Sequence, residues 1–282
     1  MGFFRKLAVG FKRTFSSNSL SLLTQEKQYG NNAEYDFNDE IKKSLPGCKI
    51  KTNVLVETKS GRCEIDCLLE YQGKLYIIEI KHWKGVLIEE GEVFVSKKKD
   101  KYSDDVFTKE MKSPFLQVKR QASLLKEATN STMWINTIVY FSEADEVNVV
   151  SDNLWFDNID DLIDFIKDDG RPSNIYESSM CFNKAIEADY IFSPSSFGER
   201  SLHCIINEDS LNIKCTDGTK VSKYQIRRID VTHHFSFDDI SITLRNGQKK
   251  AATEENRKII VKEDGINHSY SLAKIETIVI GN

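Results

Sequence analysis

The sequence predicts an α/β layer structure up to about residue 170, followed by a small all-β domain from about residue 200. Three observations carry that reading. First, β-branched and aliphatic runs near 53–57, 64–70, 74–83, 92–96 and 135–141 are interleaved with helical patterns over 33–45, 113–127 and 159–167. Second, residues 171–199, with Pro172, Pro194 and many serines, read as a linker with little regular structure of its own. Third, Asp217-Gly218, Asn246-Gly247 and Asp264-Gly265 are turn dipeptides between short alternating apolar segments.

Each element has a local cause. The first helix carries Glu34 near its start and stops at Pro46-Gly47. Residues 63–70 and 74–83 flank Tyr71-Gln72-Gly73 and read as a β-hairpin. Ser113 as N-cap and Pro114 in the first turn start a helix that runs to about Glu127, with Gln117 in its first or second turn. Ile135–Phe141 is a buried strand, and Ile159–Lys167 closes the layer as a helix. Near the C-terminal end, the heptad from Tyr224 to Asp230 matches the one from Tyr270 to Glu276 as Tyr-x-Ile/Leu-x-basic-Ile-acidic. An internal duplication of two β-meanders, closing into a barrel or sandwich, is therefore expected. His203, His233, His234 and His268 fall here; neighbours on a strand face opposite ways, so the His233-His234 pair reads as structural or exposed.

The chemistry concentrates in the hairpin. With Gln72-Gly73 as a two-residue loop, Tyr71 faces Lys74, Asp66 faces Glu79 and Glu64 faces Lys81. Directly opposed residues have Cβ atoms about 4.5–5.5 Å apart, close enough for two carboxylates to share a divalent cation. Alternation puts Glu79 and Lys81 on one face. Hard oxygen ligands suit Mg²⁺ or Mn²⁺, which polarise a phosphoryl oxygen and lower the pKa of bound water. A lysine alongside can orient that water. The bland alternative is a solvated strand face with a Glu64–Lys81 cross-strand ion pair.

Four blocks in order resemble the nuclease-related domain (NERD) of the PD-(D/E)xK superfamily over residues of about 30–127. They are Gly30-Asn31-Asn32-Ala33-Glu34, Glu64-Ile65-Asp66, the run from Tyr76 to Gly85 containing Glu79-Ile80-Lys81, and Ser113-Pro114-Phe115-Leu116-Gln117. Ala33 and Ser113 stand where that family often has Gly and Asn. The resemblance implies a restriction-endonuclease-like mixed sheet flanked by helices and Mg²⁺-dependent cleavage of nucleic acid. It implies Asp66 and Glu79 as metal ligands, Lys81 beside the attacking water, and Glu34 and Gln117 as supporting site residues. DNA is the substrate it favours, within a bacterial system acting on foreign DNA. A second function class stays open: a nucleic-acid or partner-binding module that keeps the fold without efficient cleavage. The residues alone leave DNA or RNA, strand number and end or internal cleavage undecided.

Composition and charge bound these readings. At 282 residues the chain is long enough for two domains, and 40% hydrophobic residues is ordinary for a globular protein. No run approaches the ~20 apolar residues of a membrane span. The six cysteines form no CxxC pair and read as reduced packing residues of a cytosolic protein. Net charge is −4, but Lys97–Lys126 holds nine basic residues to four acids, whereas 143–169 holds ten acids to one lysine. The basic segment either tracks a phosphate backbone or is a solvated lysine-rich loop. Phe3, Leu7, Phe11 and Phe15 recur at helical spacing among Arg5, Lys6, Lys12 and Arg13. That segment suits an anionic membrane surface, a packing face or a protein partner. The expected divisions are thus 1–29 (basic amphipathic), 30–170 (nuclease-like), 171–199 (linker) and 200–282 (β-rich, with a targeting, regulatory or partner-binding role).

Overall fold

The computed structural model describes residues 37–99, 105–195, 198–233, 238–252, 258–263, 266–272, 275 and 277–281. Glu34 and the amphipathic segment 1–15 lie outside the described residues. The chain divides into two compact units between Ile186 and Glu187.

The first unit is a mixed α/β structure. A helix over 37–44 (α1) leads to strands Lys49–Thr58 (β1), Gly61–Tyr71 (β2) and Lys74–Lys81 (β3), which pair antiparallel in that order. Ile135–Phe141 (β7) then pairs parallel with β3, and Trp155–Phe156 (β9) parallel with β7. Between β3 and β7 the chain builds a second sheet. It comprises Gly85–Glu90 (β4), Val93–Lys99 (β5), Val106–Lys112 (β6) and, later, Ala144–Asn148 (β8), in the order β6-β5-β4-β8. Helix Pro114–Thr129 (α2) completes the crossover, as a parallel connection requires. Helices Ile159–Asp168 (α3) and Ile175–Lys184 (α4) follow, and a two-residue strand, Ile186–Glu187 (β10), spans the boundary between the units.

Two cores sandwich the main sheet. Odd positions of β3, Leu75 and Ile77, pack with Leu87 and Phe94 of the second sheet, Phe115 and Val118 of α2, and Phe182 of α4. Even positions, Tyr76, Ile78 and Ile80, pack with Phe37 and Ile41 of α1 and Leu162 and Ile166 of α3. Because β3 is covered on both faces it reads as a continuous apolar run, which is the parallel-sheet signature.

Two departures from the sequence reading stand out. Residues 171–199 are not an irregular linker: α4 occupies Ile175–Lys184, and Asp189–Ser195 is a strand. Asn174 caps α4 by accepting from the Glu177 amide at 3.0 Å, an Asn-x-x-Glu start that a serine- and proline-weighted reading passes over. In the lysine-rich segment, the described residues Val93–Lys99 and Val106–Lys112 are likewise strands, and their antiparallel ladder holds despite few apolar residues.

The second unit is antiparallel throughout. Strands Asp189–Ser195 (β11), Gly198–Ile206 (β12), Ile226–His233 (β15), Asp238–Leu244 (β16), Lys249–Ala252 (β17), Lys258–Glu263 (β18), Ile266–Ser271 (β19) and Thr277–Val279 (β20) run in the order β17-β16-β15-β20-β11-β12-β18-β19. A minor hairpin joins Ile213–Lys214 (β13) to Lys220–Val221 (β14). Ala252 of β17 and Ile259 of β18 share one core although their strands are far apart in the sheet order, so the sheet curls over itself. The matched heptads place Ile226 and Leu272, and Ile229 and Ile275, at equivalent buried positions. Asp189 ties this unit together: its carboxylate accepts from the Ile206 amide at 2.6 Å, the Gly281 amide at 3.1 Å and Lys223 Nζ at 2.5 Å.

Since each unit encloses its own core, residues 26–186 and 187–282 should each give a cooperative unfolding transition when expressed alone. A piece that melts without cooperativity would show that its core is incomplete. Within the first unit, Asp169 at the end of α3 accepts from Tyr76 Oη at 2.9 Å, from the Arg171 amide at 3.0 Å and from Arg171 Nε at 2.8 Å. Burial pushes its carboxyl up, but these bonds outweigh burial and hold it below the ordinary aspartate range. Its contribution is therefore fully present above about pH 4, the unfolded value, and is lost as pH falls through the lower folded value. Asp169→Asn should flatten the acid limb of stability against pH while changing little of its shape above that range.

Candidate active site

The hairpin turn sets the geometry. Gln72 (φ +49°) and Gly73 (φ +76°) both adopt left-handed conformations, the mark of a two-residue type I′ loop. A side chain at Gly73 would also meet Ile175 Cγ1 at 2.7 Å. The loop fixes the register the sequence predicts: Tyr71 pairs with Lys74, and the ladder continues to Cys67 and Ile78.

There the ladder stops, because β1 and β2 change faces. Asn53 has φ +49°, and the β1–β2 pairing steps from Thr52–Cys67 to Val54–Ile65 across it. Cys67 and Leu69 pack toward α1 and α3, whereas Ile65, of the same parity, packs toward α2. Asp66 sits at this crease. Its Oδ2 accepts from the Ile80 amide at 3.0 Å, so a side chain replaces the backbone acceptor that a straight strand would have offered β3. Beyond the crease Glu64 pairs with Leu55 of β1, and its carbonyl accepts from Gln121 Nε2 at 2.7 Å. The β2–β3 ladder therefore contains neither of the expected facing pairs, Asp66–Glu79 and Glu64–Lys81, and Lys81 makes an ion pair with Glu79 on its own strand.

Glu79 is the centre of the cluster. Its side chain is 1% exposed, on the β3 face that packs against α2. Burying a lone carboxylate costs several kcal/mol unless charged or polar donors surround it. Three do. Lys81 Nζ donates to Oε1, Gln117 Nε2 donates to Oε1 at 2.5 Å, and Gln121 Nε2 donates to Oε2 at 2.6 Å. Gln117 also accepts from Lys81 Nζ at 3.3 Å, and the same ammonium stands 5.8 Å from the Trp83 ring centroid. The structure thus brings Asp66, Glu79, Lys81 and Gln117 to one end of β3.

Gln121 is the residue that sequence reasoning missed. It follows Gln117 by one helical turn, so the two amides project from the same side of α2. The available signal was a second glutamine at i+4, on a position otherwise suited to a core residue. It is 1% exposed, and its Oε1 is buried with no hydrogen-bond partner. Nearby, burial pushes the Cys63 thiol up to about 11, with Glu79 and Glu64 adding to the rise and Arg120 opposing it. Burial likewise lowers His82, the residue after Lys81, whose Nδ1 lies 2.5 Å from Ser142 Oγ.

The donor set fits a hard divalent cation. Glu79 has three donors against roughly four carboxylate lone-pair positions, so an acceptor position remains. Asp66 adds a second carboxylate, tied to the backbone residue after Glu79. Among the described residues no group of three or more His, Cys, Asp or Glu side chains lies together. Two carboxylates with the remaining positions left to water and phosphate is the pattern Mg²⁺ takes, and thiolate or imidazole cages are the pattern it does not.

Residues 29–142 match the model of the nuclease-related domain (NERD) family, which spans the whole cluster from β1 to β7. No curated protein and no solved structure matches the chain.

The two glutamines differ in what they hold. Replacing Gln121 by Leu removes donors from both Glu79 Oε2 and the Glu64 carbonyl, and should cost about 1–3 kcal/mol in urea-denaturation measurements. Gln117, on the exposed side of α2, leaves Glu79 open to water when truncated to Ala, so its cost should be under about 1 kcal/mol. Equal losses would mean that the buried amide does not hold the crease.

Proposed function

We propose that this protein is a divalent-cation-dependent nuclease that hydrolyses phosphodiester bonds of nucleic acid, with DNA as the preferred substrate. The observation that supports it best is the buried Glu79 carboxylate held by Lys81, Gln117 and Gln121, next to the Ile80 amide that holds Asp66, inside the segment that matches the nuclease-related family. A purely structural role gives a poor account of it. A buried acid and a lysine could be replaced by apolar residues of similar volume without loss of stability, and here two further side chains are spent on holding them.

In this reading Asp66 and Glu79 would hold Mg²⁺ or Mn²⁺, which when bound would supply charge neutralisation of the phosphoryl oxygens and an acidified water. The chain's own residues do the positioning. The Ile80 amide fixes the Asp66 carboxylate, and Gln121 fixes Glu79 from the buried side. Lys81 carries a positive charge to the face where phosphate arrives. Held by Glu79 and Gln117, and packed near Trp83, it is oriented before substrate binds, so little is lost in ordering it at the reaction step. Glu34, proposed as a supporting residue, lies outside the described residues. The proposed setting is bacterial defence against foreign DNA; the second unit would supply targeting or a protein contact, and residues 1–15 a contact with an anionic membrane surface. Among the described residues no helix is long and apolar enough to cross a membrane.

The test is cleavage of single- and double-stranded DNA and RNA by purified protein with Mg²⁺, Mn²⁺ or EDTA. Asp66→Ala and Glu79→Ala should bring cleavage to the no-enzyme background. Lys81→Ala should lower turnover about 10²–10³-fold with a smaller change in KM, the pattern of a group acting mainly in the transition state. Undiminished cation-dependent cleavage by folded Asp66→Ala protein would sink the assignment.

A further inference from the structure

The β5–β6 hairpin overshoots the strand it is built on. The last β4–β5 pair is Val86–Lys97, whereas the β5–β6 ladder continues through Lys98–Phe107 to Lys99–Val106. The overshoot lies at the start of β4, the end where β3 delivers Lys81. The two strands are joined there without slack: Gly85, at φ +90°, has Lys97 O 2.5 Å from where a Cβ would sit, and Ser96 Oγ donates to Lys84 O at 2.8 Å. The hairpin is thus an arm fixed at its base four residues past Lys81.

One side of this arm continues toward the candidate site. Facing residues on a ladder share a side, and that side repeats every second residue. Phe94 and Met111 face the core, with the Phe94 ring 6.0 Å from Trp83, the ring that stands beside Lys81. The next two pairs on that side are Ser96–Lys109 and Lys98–Phe107. Past the core, the side that began as packing surface therefore presents two lysines and an aromatic ring. Phe107 is 61% exposed and Val106, on the other side, 58%. Among the described residues Phe107 belongs to neither hydrophobic core of this unit.

We infer that the arm is a contact surface for single-stranded nucleic acid, with Phe107 stacking on an unpaired base while Lys98 and Lys109 neutralise flanking phosphates. The occupant follows from the chemistry of the surface. Lysines alone would attract any polyanion, but an exposed aromatic among them pairs with a π-face that a duplex hides inside its stack. A strand lying along this side of the arm is led toward Trp83 and Lys81. The inference rests on the nuclease reading and adds which strand state is bound and where.

Anisotropy titrations of the full chain in EDTA, with fluorescent oligo-dT and with a hairpin-free duplex of mixed sequence, test both readings separately. Phe107→Ala should weaken oligo-dT binding about 5- to 100-fold, with Phe107→Trp restoring it and the duplex changing far less. Lys98→Ala with Lys109→Ala should flatten the log–log salt dependence for oligo-dT by about 0.7 per lysine. Lys167→Ala on α3 serves as the charge control and should change neither. If the wild-type chain binds oligo-dT and the arm variants bind it equally well, the arm assignment falls and the nuclease reading stands. If the lysine variant loses only duplex and Phe107→Ala loses nothing, the arm is a duplex contact and the single-strand assignment is overturned. A wild-type chain that binds neither probe and cleaves no nucleic acid overturns both.

Discussion

The candidate site depends on the burial of one carboxylate. Glu79 stands on the face of β3 that packs against α2, where the preceding odd positions, Leu75 and Ile77, are aliphatic. Its burial is offset by donors from three directions: along its own strand from Lys81, from the exposed edge of α2 through Gln117, and from its buried edge through Gln121. The helix position is constrained in turn, since shifting α2 by one residue would exchange both amides for apolar or charged side chains. Sheet, helix and site are therefore parts of one packing solution.

The crease at Asn53 and Asp66 is the second constraint. A strand pair that keeps one face to the core has no means of turning a side chain into its own hydrogen-bonding edge. Switching faces at a left-handed Asn53 releases β2 from β3 just as Asp66 is reached. Local backbone cost of this kind persists where the surroundings over-determine it, and it clusters at functional positions. Here the surroundings are visible: Asp66 bonds to Ile80, Glu64 to Gln121, and α2 closes over both.

The second unit solves a different problem. Its apolar side chains form one core under a long antiparallel sheet, and its buried acid, Asp189, is satisfied by two backbone amides and Lys223. Those bonds join β11, β12, the turn before β15 and the end of the described chain. Asp189 thus serves as a structural clasp, the opposite of Glu79, whose partners include an exposed amide and a lysine facing the cluster.

The order of elements was legible in the sequence wherever a local rule acts alone. Gln72-Gly73 sets the hairpin register, Ser113-Pro114 starts α2 one residue before its first helical position, and aliphatic runs mark β3 and β7 because burial on both faces leaves no other composition. The same register predicts Asp66 opposite Glu79, but the ladder ends at Cys67–Ile78, one pair short of it, and Asp66 reaches the Ile80 amide instead. What the sequence could not carry was anything decided by packing at a distance. The β6 strand has little alternation and forms because β5 offers it a ladder; α4 forms in a segment whose serines and prolines locally favour turns. The face change at Asn53 is a backbone conformation that its residue type permits without requiring. Gln121 became part of the cluster only because α2 lies across the point where β2 leaves β3. Local chemistry therefore pointed to Asp66, Glu79, Lys81 and the turn that sets the hairpin register, whereas the buried donor Gln121 that satisfies Glu79 in an apolar layer was chosen by the tertiary structure.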